Sequence, residues 1–154
     1  MKLEELIKQD RFADGSQRAM LNILVTSSWV TSQLSATMSR FGLTPAQYNV
    51  LRILRGSHPG RMTCSDIGSR LLDRTPDVTR LLNRLESAGH IERNRSTSDR
   101  RVVEVGITQE GLNLLTAMDP ETTSIQDRLS RHLTEDELHR LSDLLERYRS
   151  DQID

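Results

Sequence analysis

A chain of 154 residues, 35% apolar and 28% charged, is long enough for one domain with its own hydrophobic core, and its single cysteine, Cys64, excludes an intramolecular disulfide or a cysteine-rich zinc site. Only 3% of the residues are aromatic, too few for the stacking platforms of a single-strand binder. The net charge of −1 hides an uneven distribution: residues 61–101 carry nine arginines and no lysine against six carboxylates, and arginine is the preferred fork for phosphates and guanine edges.

No run approaches the ~20 apolar residues of a membrane helix, and residues 1–14 lack the apolar core of a signal peptide. A reducing cytoplasm is therefore the expected location. Leu3, Leu6 and Ile7 suggest a short first helix. From about 15 to 40, Met20, Leu24, Ser28, Thr31, Leu34, Met38 and Phe41 recur at three- and four-residue steps, so one long amphipathic helix is expected, ending near Gly42. Thr44-Pro45-Ala46-Gln47 is a helix start: Thr44 caps, Pro45 takes the first helical position and Gln47 closes a capping box. Gly56-Ser57-His58-Pro59-Gly60 breaks that helix.

Thr63 opens a short helix with Asp66 at the box position and Ile67, Leu71 and Leu72 as its stripe. Thr75 as cap and Pro76 as first residue predict another helix to about Ala88, closed by Gly89. The period then falls from 3.6 to 2. Ile91–Arg95 reads as one strand and Val103, Val105 and Ile107 as a second, around a polar tip. Thr108 caps a helix carrying Leu112, Leu115 and Met118, which Pro120 breaks or kinks. Thr134 and Glu137 form a last capping box, and Leu138, Leu141, Leu145 and Tyr148 make a seam suited to another helix.

Helix, short helix, helix, hairpin is the plan of a winged helix-turn-helix, whose second helix enters the major groove. On a helical wheel Val78, Leu81, Leu82 and Leu85 fall within roughly 100°, and Pro76, Asp77, Arg80, Asn83, Arg84 and Ser87 share the opposite side. Arginine pairs with guanine, asparagine with adenine, and aspartate accepts from cytosine. Residues near the start of such a helix reach bases, which favours Thr75, Pro76, Asp77, Thr79 and Arg80, with Arg84 placed for phosphate. Arg93, Arg95, Arg100 and Arg101 surround the hairpin tip. Four like charges repel unless an anion joins them, as when arginine enters a narrow minor groove. Asp99 is expected to pair with Arg101 and fix its guanidinium, or else to serve only as a turn residue.

The run 72–86 through Thr75-Pro76-Asp77-Val78-Thr79-Arg80, then Gly89-His90-Ile91-Glu92-Arg93, Ser98-Asp99-Arg100-Arg101 and Ile107-Thr108, closely resembles the MarR family of bacterial regulators, over roughly Gln17 to Arg149. The resemblance implies a mainly α fold with a β-hairpin wing: a single domain, 1–154, with a DNA-binding lobe over 44–108 and a helical dimerisation region over 1–43 and 109–154. It implies a homodimer on pseudo-palindromic double-stranded DNA, with recognition helices ~34–36 Å apart. It makes Arg80 a groove-reading position and Arg101 the wing arginine, and it implies repression; no cofactor is expected. Many relatives are released by small phenolic or lipophilic acids bound between the dimerisation and DNA-binding parts. Here Trp29, Met38, Tyr48, Arg52 and Met62 lie in segments that could line such a site. Some relatives sense peroxide with a cysteine near the start of the first long helix. This chain has none there, and Cys64 is expected to be a buried small residue.

Two other readings remain. No H-E-x-x-H, glycine-rich phosphate loop or nucleophile elbow accompanies His58, His90, His132 and His139, so an enzyme is not expected, though scattered histidines and carboxylates leave room for a small metal-binding protein. The C-terminal seam would equally serve a helical protein-interaction module. Binding to duplex DNA separates these from the first reading.

Overall fold

A computed structural model of the protein describes residues 1–73, 77–96, 99 and 101–150. In chain order the elements are α1 (Leu3–Ile7), α2 (Gly15–Arg40), α3 (Pro45–Ser57), β1 (Met62–Thr63), α4 (Cys64–Arg70), α5 (Val78–Ser87), β2 (Ile91–Arg95), β3 (Val103–Ile107), α6 (Gln109–Ser130) and α7 (Glu135–Tyr148). The chain forms two compact units, Met1–Asp119 and Pro120–Asp154.

Local chemistry sets most boundaries in the first unit. Asp14 caps α2 by accepting from the Gln17 amide at 2.8 Å. Phe41 donates to the Met38 carbonyl, and Gly42, with φ +72°, turns the chain out of the helix as only glycine does cheaply. Thr44 and Gln47 form the expected box: Thr44 Oγ1 accepts from the Gln47 amide at 3.2 Å, and Gln47 Oε1 accepts from the Thr44 amide at 2.9 Å. Thr44→Ala is expected to lower stability by about 1 kcal/mol in a denaturant titration, because the Gln47 amide at the start of α3 loses its acceptor. Thr63 and Asp66 repeat the pattern at α4.

The core of this unit gathers Met38 from α2, Leu51 and Leu54 from α3, Ile67 from α4, Leu82 and Leu85 from α5, Val105 from β3 and Leu115 from α6. The sheet runs β1-β3-β2, all antiparallel, with Met62 paired to Val105 and Ile91 to Ile107. Arg55 of α3 makes a forked ion pair with Asp119 of α6, its Nη1 donating at 2.9 Å to Oδ2 and Nη2 at 3.1 Å to Oδ1.

Four expectations change. The strand β1 was not foreseen; two residues are too few to show a period. The helix α4 stops at Arg70, so Leu71 joins Ile67 inside, but Leu72 is 91% exposed instead of extending the stripe. Cys64 is exposed, not buried, because it opens α4 ahead of the turn that carries Ile67 into the core. Pro120 does not break α6: the helix continues through it to Ser130, with Leu115 and Met118 buried before it and Ile125 after it.

In the second unit, Thr134 and Glu137 form their box. The hydrogen bonds from Thr134 hold the Glu137 carboxyl below the usual glutamate range. No residue of α7 is buried; Leu141, Leu144 and Tyr148 are exposed. Among the described residues, no helix is long and apolar enough to cross a membrane.

Candidate nucleic-acid interface

The helix α5 owes its orientation to a one-sided pattern. Leu82 and Leu85 are 1% and 0% exposed, while Val78 and Leu81 are half-buried. Thr79, Arg80, Asn83, Arg84 and Ser87 all face solvent. Arg80, Asn83, Arg84, Ser87 and Ala88 border a shallow open depression of about 430 Å³. Gly68 brings α4 against the start of α5, where a Cβ would stand 3.3 Å from Val78 Cγ2. At the far end Gly89, with φ +80°, donates to the Glu86 carbonyl and sends the chain directly into β2.

The start of α5 differs from the sequence expectation. The cap is Asp77, whose Oδ1 accepts from the Arg80 amide at 3.0 Å. The helix therefore begins at Val78. Thr75, Pro76 and Arg100 lie outside the described residues.

The hairpin follows the expected strands. Ser96 donates to the Val102 carbonyl and Val102 to the Asp99 carbonyl, each at 2.9 Å. The expected carboxylate–guanidinium pair is replaced by a backbone contact: Asp99 Oδ1 accepts from the Arg101 amide at 2.9 Å. Asp99 thus shapes the turn, the ordinary use of aspartate two residues before an amide. Arg95 and Arg101 are exposed. Arg93 is not one of the tip cations. It pairs with Val105, and its Nε lies 3.6 Å from Glu86 of α5. Glu86 relieves part of the repulsion around the hairpin and ties it to α5; a lone acid on a basic helix gave no sign of this from sequence.

A polar helix face with two arginines, an asparagine and a threonine beside a basic hairpin is suited to a polyanion with readable edges. The family model described as MarR family matches residues 43–103, from the approach to α3 into the start of β3. A MarR transcription factor from Planctomyces limnophilus, known from a crystal structure, is 38% identical, with 88% of this chain and 98% of that one covered and a TM-score of 0.69. The chain is a transcriptional regulator of the MarR family.

Two further proteins show the range of the likeness. The HTH-type transcriptional repressor MdtR of Bacillus subtilis is 32% identical over 71% of this chain and 69% of its own length. The S. aureus MepR of a MepR–DNA complex is 25% identical, with 84% of this chain and 94% of that one covered and a TM-score of 0.76. The MarR match contains all of α5 and β2. Among the described residues there is no group of three or more metal-ligating side chains that could hold an ion.

The five residues considered for an effector do not line one cavity. Met38 and Met62 are buried in the core at 1% and 6% exposure. Arg52 stacks 5.8 Å from the Tyr48 ring centroid and donates from Nη1 to its hydroxyl at 2.8 Å. Trp29 is half exposed on α2, beside Leu24, Val25 and Ser28. A different cavity of about 650 Å³ lies among α2, α3 and the segment after α4, lined by Thr31, Leu34, Ser35, Pro45, Asn49, Leu71 and Leu72. Asn49 Oδ1 accepts from the Leu72 amide at 3.0 Å, so one wall of this cavity is tied to the chain just after α4.

Proposed function

We propose that this MarR-family regulator is a cytoplasmic homodimeric repressor that reads a pseudo-palindromic operator through α5 in the major groove and the hairpin in the adjacent minor groove. The observation that carries the reading is the division of α5, with leucines sealed inside and Thr79, Arg80, Asn83 and Arg84 exposed along one face. Thr75, Pro76 and Asp77 at the helix entry, and Arg95, Asp99, Arg100 and Arg101 on the hairpin, complete the proposed contact. The names of the relatives support it: MdtR is called a repressor, and MepR was solved with DNA.

Exposed apolar residues support self-association. Met20, Leu24 and Trp29 stand out from α2, and Leu141, Leu144 and Tyr148 from α7, and such residues are costly to leave in water. The helices outside 44–108 are thus the proposed dimerisation region. A small aromatic or lipophilic effector is proposed for the cavity beside Leu34, Asn49 and Leu71, whose size and mixed lining suit one.

Selection of bound sequences from random duplex DNA, with and without candidate aromatic acids, tests the reading. The expected result is a two-fold symmetric motif, weaker recovery with an effective ligand, and affinity that falls steeply with salt at about 0.9 per neutralised phosphate on a log–log plot. Recovery of no motif, with salt-insensitive binding, would refute it.

A further inference from the structure

The hairpin is fastened on its second face by a residue outside it. Antiparallel pairing sets Glu92 of β2 against Gly106 of β3, and Asn94 against Glu104. Met62 pairs with Val105, so Arg61, one residue earlier, approaches the sheet level with Gly106. Arg61, Gly106 and Glu92 therefore form a row across three strands, and neighbouring strands are about 4.8 Å apart. A side chain in the middle position would separate the outer two; glycine leaves the way open.

Arg61 uses that opening. A Cβ on Gly106 would stand 3.2 Å from Arg61 Nη1, 3.4 Å from Cζ and 3.5 Å from Cγ, so the arginine lies along the strand where a side chain would be. Its Nη2 reaches Glu92 Oε1 as an ion pair. With the Asn94 amide turned so that its oxygen faces the guanidinium, that oxygen accepts from Nη1 and Nη2 at 2.8 and 3.0 Å. The ion pair is partly solvated, with side chains 31% and 51% exposed, so it adds little to global stability. Its geometric effect is larger. A planar fork bonded to two residues of β2, while its own backbone enters β1, fixes the hairpin's direction from the helix-turn-helix side.

We infer that Arg61 is a positioning residue for the wing, a strap over Gly106 that sets where Arg95 and Arg101 are presented. The inference rests on the proposed role of the hairpin in DNA binding. It requires Gly106 to remain without a side chain and makes Glu92 and Asn94 the anchor points.

A double-mutant cycle on the full chain tests it. Operator affinity is titrated for the wild type, Arg61→Ala, Arg101→Ala and the double variant, across a salt series, with hydrogen exchange of the Ser96 amide followed in each free protein. A strap predicts that Arg61→Ala weakens binding about 3- to 10-fold alone but less in the Arg101→Ala background, since a wing already without Arg101 has only Arg95 left to misdirect. It predicts an unchanged salt slope, faster exchange at Ser96, and the same phenotype for Gly106→Ala. Effects of Arg61 and Arg101 that multiply, with a slope lower by about 1 in Arg61→Ala, would make Arg61 a phosphate ligand and overturn the inference. Unchanged exchange in Arg61→Ala and Gly106→Ala would also overturn it, whatever the DNA result. If Arg101→Ala leaves affinity unchanged, the DNA role of the wing fails by itself, and exchange at Ser96 still decides whether the strap exists.

Discussion

Leu85→Ala is expected to lower folding stability by about 2–5 kcal/mol, the cost of removing a large buried aliphatic group and leaving a cavity. Leu85 is fully buried and sits in the cluster that joins α3, α4, α5 and β3. Denaturant unfolding with an unchanged m-value reads the loss directly. Arg84→Ala, one residue earlier on the solvent side, is the control and should stay within about 0.5 kcal/mol of wild type. A small loss at Leu85 would mean that α5 is not seated by its leucines, and the outward direction of its arginines would lose its cause.

Arg80→Ala is expected to leave that unfolding curve unchanged and to weaken operator binding by about 1–3 kcal/mol, roughly 5- to 150-fold. Arg80 is exposed within the first turn of α5, where side chains of a groove-entering helix reach base edges. Loss of a forked contact to guanine also relaxes preference at one base pair in each half-site, which a panel of single-substitution operators would show. A uniform loss across the panel, with a smaller salt slope, would place Arg80 on phosphate instead.

Most of this arrangement was legible because its signals are local. The box of Thr44 and Gln47 and that of Thr134 and Glu137 each need only four residues, and both form as written. The strands at 91–95 and 103–107 announce themselves by alternation and keep the expected limits. The misreadings have tertiary causes. Asp77 is as acceptable a helix cap as Thr75, and a short window of sequence does not choose between them; in the turn after α4, Asn49 from 23 residues earlier accepts from the Leu72 amide. Leu72 fits the stripe of α4 on paper, yet that same turn leaves it in water. Of the two expectations for Asp99 the turn residue is the one that forms; charge is visible in a sequence and a backbone amide is not. The strap of Arg61 needs three strands in register, so no single window of residues contains it.

Asp77 carries a consequence for how such a helix can change over time. Its carboxylate closes the first turn of α5 through the Arg80 amide, at the spot where an acceptor for cytosine would also be needed. On the proposed reading the exposed Asp77 side chain would serve both, so helix initiation and base preference would draw on the same functional group. On that reading Asp77 cannot be changed for one purpose without disturbing the other, whereas the exposed side chains of Thr79 and Asn83 make no hydrogen bond with another described residue and would leave new operator preferences freer to arise there.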